Sequence, residues 1–242
     1  MKILIIRHAD PDYSIDSLTE QGRTEAELLS RMLCKKEFKE IYVSPLGRAR
    51  DTAAYTLEKL GREAVVCDWL REFSPAVKRP DRDARGVAWD WLPQDWTVID
   101  DFYSFDRWAE VPAMAAAGVK EEYLRVAAGL DGIIEKHGYV REGRFYRAVN
   151  PNTDTIALFC HFGVECVLLS HLLGISPMPL WQGFCAAPSS VTTLITEERR
   201  KGIASFRTAA FGDTSHLYAG GEKPSFSARF CETYDNFDER HD

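Results

Sequence analysis

The 242-residue chain is long enough to bury the core of one large α/β domain. Its formal charge of -7, from 30 Lys and Arg against 37 Asp and Glu, excludes a nonspecific nucleic-acid binder, which needs basic surface to displace counterions from phosphates. The cysteines Cys34, Cys67, Cys160, Cys166, Cys185 and Cys231 lack the density of a disulfide scaffold and contain no C-x-x-C pair. No apolar run has the length of a signal-peptide core or a membrane span, so the expected location is the cytoplasm, with no membrane partner.

Ile3-Leu4-Ile5-Ile6 reads as a buried strand, and Arg7-His8 follow at its carboxyl end, where open α/β sheets bind ligands. A permanent cation beside a side chain able to be nucleophile, base or metal ligand points to chemistry on an anion, with phosphate the foremost candidate. Past the loop Asp10-Pro11-Asp12, Thr19 is the expected N-cap of a helix running to about Cys34. Glu40 to Ser44 then gives a second strand, Arg48 to Lys59 a second helix, and Ala64 to Asp68 a third strand leading into Leu70-Arg71-Glu72. This β-α-β-α-β succession predicts a doubly wound core.

Beyond Glu72 the composition shifts to Pro75, Pro80, the charged run Asp81 to Arg85 and the tryptophan-rich segment Trp89 to Trp96. The stretch of about 73–120 reads as an insertion over the core; a helix is expected through Lys120 to Lys136, and a hairpin from Tyr139 to Ala148 turning at Glu142-Gly143 is a candidate extension of the insertion. Core strands resume at Thr155 to Cys160, followed by His161, a helix from about Val164 to Leu173, and strands at Val191 to Thr196 and Ala204 to Ala210. The expected class is α/β: a three-layer α/β/α sandwich with a mostly parallel central sheet, one domain over 1–242, with a cap insertion at about 73–150.

Several strand ends carry reactive groups. The run Ser44 to Ala53 places Arg48 in the first turn of a helix, where guanidinium and free N–H groups act together on an anion. His161 ends an apolar strand as His8 does, and Glu72 also lies just past a strand.

These motifs resemble the histidine phosphatase superfamily, the phosphoglycerate mutase-like family. Arg7-His8-Ala9 is similar to its Arg-His-Gly signature, with alanine for glycine, and Ser44 to Ala53 to its S-P-L-x-R-A-x-Q-T-A motif, with Asp51 for glutamine. Leu70-Arg71-Glu72 resembles the segment bearing the family's acidic residue, Cys160-His161-Phe162-Gly163 the second-histidine motif, and Gly212 to Leu217 a late segment of its phosphatase branches. The resemblance implies that His8 attacks phosphorus and forms a phosphohistidine, while Glu72 protonates the leaving oxygen and then activates water. It implies that Arg7, Arg48, His161 and the N–H of Phe162 bind the phosphate of a small phosphorylated substrate, with no metal and no other cofactor required.

Asp10-Pro11-Asp12-Tyr13-Ser14 departs from the family's usual loop, which leaves Ser14 as the candidate for a secondary phosphate contact and the roles of Asp10 and Asp12 open. His216 is expected to fix a loop, whereas His137, His171 and His241 are expected to be structural or exposed. The tryptophan-rich segment reads equally as a substrate lid or as plain packing between insertion and core. Four functions compete: a phosphatase, a mutase-type phosphoryl transferase, a metal site built from His8, Asp10, Asp12 and His161, and a non-catalytic phospholigand-binding protein. Nothing in the sequence specifies an oligomeric state.

Overall fold

The computed structural model describes residues 1–225; Cys231 and His241 lie outside the described residues. Strand β1 (Lys2–Arg7) is buried at every position after Lys2, as an uninterrupted apolar run requires. A small ladder of β2 (Pro11–Asp12) and β3 (Ser17–Leu18) follows, then α1 (Glu20–Leu33), whose N-cap Thr19 accepts the Gly22 N–H at 3.0 Å. Next come β4 (Glu40–Val43) and α2 (Gly47–Leu60), the latter closed by Gly61 at φ 59°, a left-handed stop. Strand β5 is only Val65–Val66, shorter than Ala64 to Asp68, because Asp68–Leu70 winds into a 3-10 turn that delivers the chain to Glu72.

Within the insertion, β6 (Ala76–Lys78) pairs with β7 (Arg85–Val87), followed by the short helices α3 (Pro93–Trp96) and α4 (Pro112–Ala115). The long helix α5 (Val119–Lys136) leads to the hairpin of β8 (Tyr139–Glu142) and β9 (Phe145–Ala148). The remainder is β10 (Thr155–Cys160), α6 (Phe162–Leu173), α7 (Pro177–Gly183), β11 (Val191–Arg200), β12 (Ile203–Asp213) and α8 (Ser215–Gly220).

One eight-stranded sheet runs in the order β5-β4-β10-β1-β11-β12-β9-β8. Its first four strands are parallel, and from β1 to β8 each neighbour is antiparallel. The period of two along β1 builds the layers: Ile3 and Ile5 enter a core shared with α5, α6 and the insertion, whereas Leu4 and Ile6 enter a second core beneath α1 and α2. Among the described residues, no helix is long and apolar enough to cross a membrane.

The hairpin does not extend the insertion. Strand β9 pairs with β12, Arg147 opposite Ile203 and Tyr146 opposite Ala204, and the Tyr146 ring packs edge-on against Phe206 at 5.2 Å. Pairing satisfies backbone groups that an unaccompanied edge of β12 would expose, and α5 belongs to the helix layer against α6, so the stretch laid over the core is 73–118. The aromatic rings of that stretch are largely packing: Trp91 meets Phe102 at 5.2 Å, and Trp108 stands edge-on to Trp181, itself stacked on Phe73 at 5.4 Å.

Helix α1 approaches the loop after His8 without room for a side chain: a Cβ on Gly22 would fall 2.1 Å from the Asp10 carbonyl oxygen. Gly22→Ala is expected to lower the free energy of unfolding by about 3 kcal/mol, because backbone rather than a flexible side chain must move. Gly132→Ala, in the middle of α5 with nothing within 4 Å of its Cβ, is the control and is expected to raise it by about 0.5 kcal/mol. Urea unfolding of the two variants checks both signs.

Candidate active site

Strands β1 and β10 are parallel neighbours in register from Lys2 opposite Thr155 to Arg7 opposite Cys160, so the residues just past each end stand side by side. His8 and His161 consequently lie with ring centroids 5.1 Å apart. Strand β4 flanks β10 on its other side, and its end supplies Ser44 and the start of α2 with Arg48.

The His8 ring is held from one side. Nδ1 lies 2.8 Å from the Ala9 carbonyl oxygen, which can only accept, so Nδ1 carries the hydrogen and Nε2 keeps its lone pair for an electrophile. The main chain around the ring is tied down as well: His8 N–H donates to the Cys160 carbonyl at 3.0 Å, and the His8 carbonyl accepts the Ser189 N–H at 3.0 Å. Behind that strap, the Ser189 hydroxyl meets His216 Nε2 at 3.0 Å, which is the loop-fixing role expected of His216. Burial, reinforced by the charges of Arg7 and Arg48, pushes His8 well below the usual histidine range and keeps it neutral.

His161 is also buried and held neutral by desolvation, with His8, Arg48 and Arg7 acting in the same direction. Its Nε2 contacts Ser44 Oγ at 2.7 Å, and Ser44 Oγ itself accepts the Leu46 N–H at 3.3 Å. With two lone pairs and one proton, Ser44 Oγ can accept from Leu46 and still either donate to or accept from Nε2, so this bond fixes the orientation of the His161 ring and not its tautomer. Arg7 donates to the Ala186 carbonyl, and its guanidinium lies 5.8 Å from the centre of the Phe162 ring.

Arg48 is aimed by a residue that sequence reasoning missed. One oxygen of Asp16 pairs with Arg48 Nη1 at 2.5 Å, and the other accepts the Gly47 N–H at 2.7 Å. Asp16 therefore caps α2, whose own N-cap residue Leu46 has no side-chain acceptor. That vacancy was the signal available in the sequence: a helix start without a capping side chain must be capped from elsewhere. Asp16 adopts φ 48°, a left-handed conformation that aspartate tolerates better than most side chains.

Glu72 joins the histidines through α6. Its Oε1 accepts the N–H groups of Phe73 at 2.8 Å and Val164 at 3.1 Å, placing the carboxyl at the N-terminus of the helix that begins beside His161. Gly163 permits this approach, since a Cβ there would stand 2.6 Å from Glu72 Oε1 and 2.4 Å from Trp89 Nε1. Burial outweighs the two N–H donors and both arginines, so the carboxyl is raised above its ordinary range and favours the protonated form. The first turn of α6 also contains the N–H of Phe162, one of the helix-terminal donors that have no acceptor within the helix.

Other expected residues lie elsewhere. Ser14 bonds Asp12 at 2.5 Å in an exposed turn. Asp10 is engaged by the Thr19 hydroxyl at 2.6 Å and by Ser225, and Asp12 by the Ser14 N–H at 3.0 Å, so the set His8, Asp10, Asp12 and His161 does not converge on a metal position. His137 bonds Tyr42 and His171 bonds Asp131, both as structural groups. Glu165, the lone charge in the apolar run from Val164 to Leu173, is fully buried in α6, where the Thr192 hydroxyl faces its carboxyl. Burial pushes its carboxyl up to about 7.

Comparison with known proteins agrees with this geometry. The profile of the histidine phosphatase superfamily (branch 1) matches residues 3–208. Over 215 residues the chain is 24% identical to phosphoserine phosphatase 1 of Hydrogenobacter thermophilus, covering 84% of this chain and 90% of that one. A putative phosphoserine phosphatase 2 of the same organism is 38% identical over 82 residues, 30% of this chain and 40% of the relative. Among solved structures, a mutant phosphoserine phosphatase of Entamoeba histolytica in complex with phosphoserine superposes with TM-score 0.59 at 19% identity, covering 89% of this chain and 98% of that one. A mycobacterial glucosyl-3-phosphoglycerate phosphatase superposes with TM-score 0.55 at 21% identity, covering 87% and 98%. With the profile spanning most of the chain and both histidine strands within it, the protein belongs to the histidine phosphatase superfamily, branch 1.

Proposed function

We propose that the protein is a metal-independent phosphomonoester phosphatase that works through a phosphohistidine on His8 and acts on a small phosphorylated metabolite in the cytoplasm. The observation that carries this reading is the pairing of a neutral His8, its Nε2 lone pair available, with a neutral His161 at 5.1 Å between Arg7 and Arg48. The phosphatase names of the relatives and the superfamily match support it, and the cysteine pattern supports a reducing compartment.

In the first step His8 Nε2 attacks phosphorus, the bond from phosphorus to the leaving oxygen breaks, and Glu72 gives its proton to that oxygen. Arg7, Arg48, His161 and the Phe162 N–H take up charge on the three equatorial oxygens, the role a divalent ion fills in other phosphoryl-transfer sites. In the second step water attacks the phosphohistidine, its proton passes to the Glu72 carboxylate, the P–N bond breaks, and phosphate leaves with His8 restored. A mutase would share the first step and return the phosphoryl group to a substrate oxygen instead, so release of phosphate without an isomerised product separates the two.

With a chelator present, the wild type is expected to release phosphate from phosphomonoesters, and His8→Ala to lower that rate by about 10,000-fold. Unchanged turnover in the variant, or wild-type activity that needs added divalent ions, overturns the mechanism. The pH profile supplies a second check. Because burial depresses His8, attack persists below the usual histidine range; because burial raises Glu72, the acid survives above the usual carboxylate range and is lost as pH rises further. Glu72→Gln is expected to reduce kcat by about 100-fold or more and to remove the alkaline limb, read from kcat/KM against pH.

A further inference from the structure

The two arginines set to hold phosphate are each flanked by an aromatic ring. The Phe162 ring lies 5.8 Å from the Arg7 guanidinium, and the Tyr13 ring, 60% exposed, lies 5.3 Å from that of Arg48. Trp89 completes the wall: its indole stands edge-on to Phe162 at 5.8 Å and donates through Nε1 to the Phe73 carbonyl at 2.7 Å. That bond pins the indole beside Glu72, the two meeting over Gly163, and Glu72 is the group that faces a leaving oxygen.

Most arginines of the site and the insertion pair with carboxylates, whereas Arg85, exposed at the start of β7, pairs with none among the described residues. The cationic side chains that act on both His8 and His161 are Arg7 and Arg48, and Asp16 already offsets part of Arg48. In the insertion, the buried Arg79 is held by Asp81 and Asp90, each at 2.7 Å, and Arg82 by Asp90 at 2.9 Å. Arg71, next to Glu72, pairs with Asp68 at 2.8 Å. A phosphate dianion therefore uses the charge that Arg7 and Arg48 provide, and a second anionic group on the substrate would find Arg71, Arg79 and Arg82 already paired with carboxylates. An uncharged ring, by contrast, meets three ring faces or edges.

We infer that the site selects phosphomonoesters of uncharged aromatic alcohols over those whose alcohol carries a carboxylate, with Trp89, Phe162 and Tyr13 as the specificity-determining side chains. This rests on the phosphatase reading above and departs from the carboxylate-bearing compounds in the names of the structural neighbours.

The test compares kcat/KM for four alkyl esters of similar leaving-group acidity: benzyl phosphate, glycerol 3-phosphate, phosphoserine and 3-phosphoglycerate. Benzyl phosphate is expected to exceed each carboxylate-bearing ester by about tenfold or more. Trp89→Ala is expected to cut the preference for benzyl phosphate over glycerol 3-phosphate by about tenfold, and Trp89→Phe to keep most of it. Tyr13→Ala, at an exposed ring whose loss leaves the core intact, is expected to cut the same ratio about threefold and serves if Trp89→Ala does not fold. Turnover that favours phosphoserine or 3-phosphoglycerate, or a ratio unmoved by the folded variants, overturns this inference and leaves the phosphatase reading standing. No turnover of any of the four by the wild type overturns the phosphatase reading and this inference together.

Discussion

Parallel pairing of β1 with β10 is the constraint on which the rest of the site depends. Six consecutive residue pairs are in register, and both strands are buried on their two faces, so a slip by one residue would move every core side chain to the opposite layer. With the register locked, the ends of the strands are locked too, and two histidines separated by most of the chain stand ring to ring. Everything else at the site is added to that edge: β4 brings α2 and Arg48, and the 3-10 turn after β5 brings Glu72.

Burial then sorts the titratable groups into complementary roles. The same desolvation that lowers both imidazoles raises the Glu72 carboxyl, because in each case the charged form is the one that loses hydration. In the proposed mechanism, the neutral nucleophile and the proton donor are thus both favoured by one physical effect. The two arginines are aimed by fixed acceptors: Arg7 by the Ala186 carbonyl, Arg48 by Asp16. Glu165 extends the pattern into α6, a second buried carboxyl that desolvation pushes up to about 7.

The insertion contributes in two distinct ways. Most of its rings weld it to the core through Trp108, Trp181 and Phe73, so it behaves as a fixed wall and not as a loosely tethered flap. Trp89 differs because its indole reaches past that weld to the start of α6, where Gly163 leaves space for both the indole and Glu72. In the proposed mechanism, the groups that hold phosphate and those that surround the leaving group come from different parts of the chain, which lets one change without the other.

Local features were legible in the sequence because their causes are local. The apolar runs of β1 and β10, the Thr19 cap, the helices after Ser44 and His161, and the hairpin turn at Gly143 each depend on residues within a few positions, and His8, His161, Arg7, Arg48 and Glu72 could be named from strand ends and motifs alone. Tertiary structure alone decided the rest. Asp16 reaches Arg48 across 32 residues, Glu72 reaches α6 across 92, and the hairpin finds β12 instead of the insertion. Each of these is set by which distant backbone arrives with an unpaired group, and a side chain's neighbours along the chain carry no record of that.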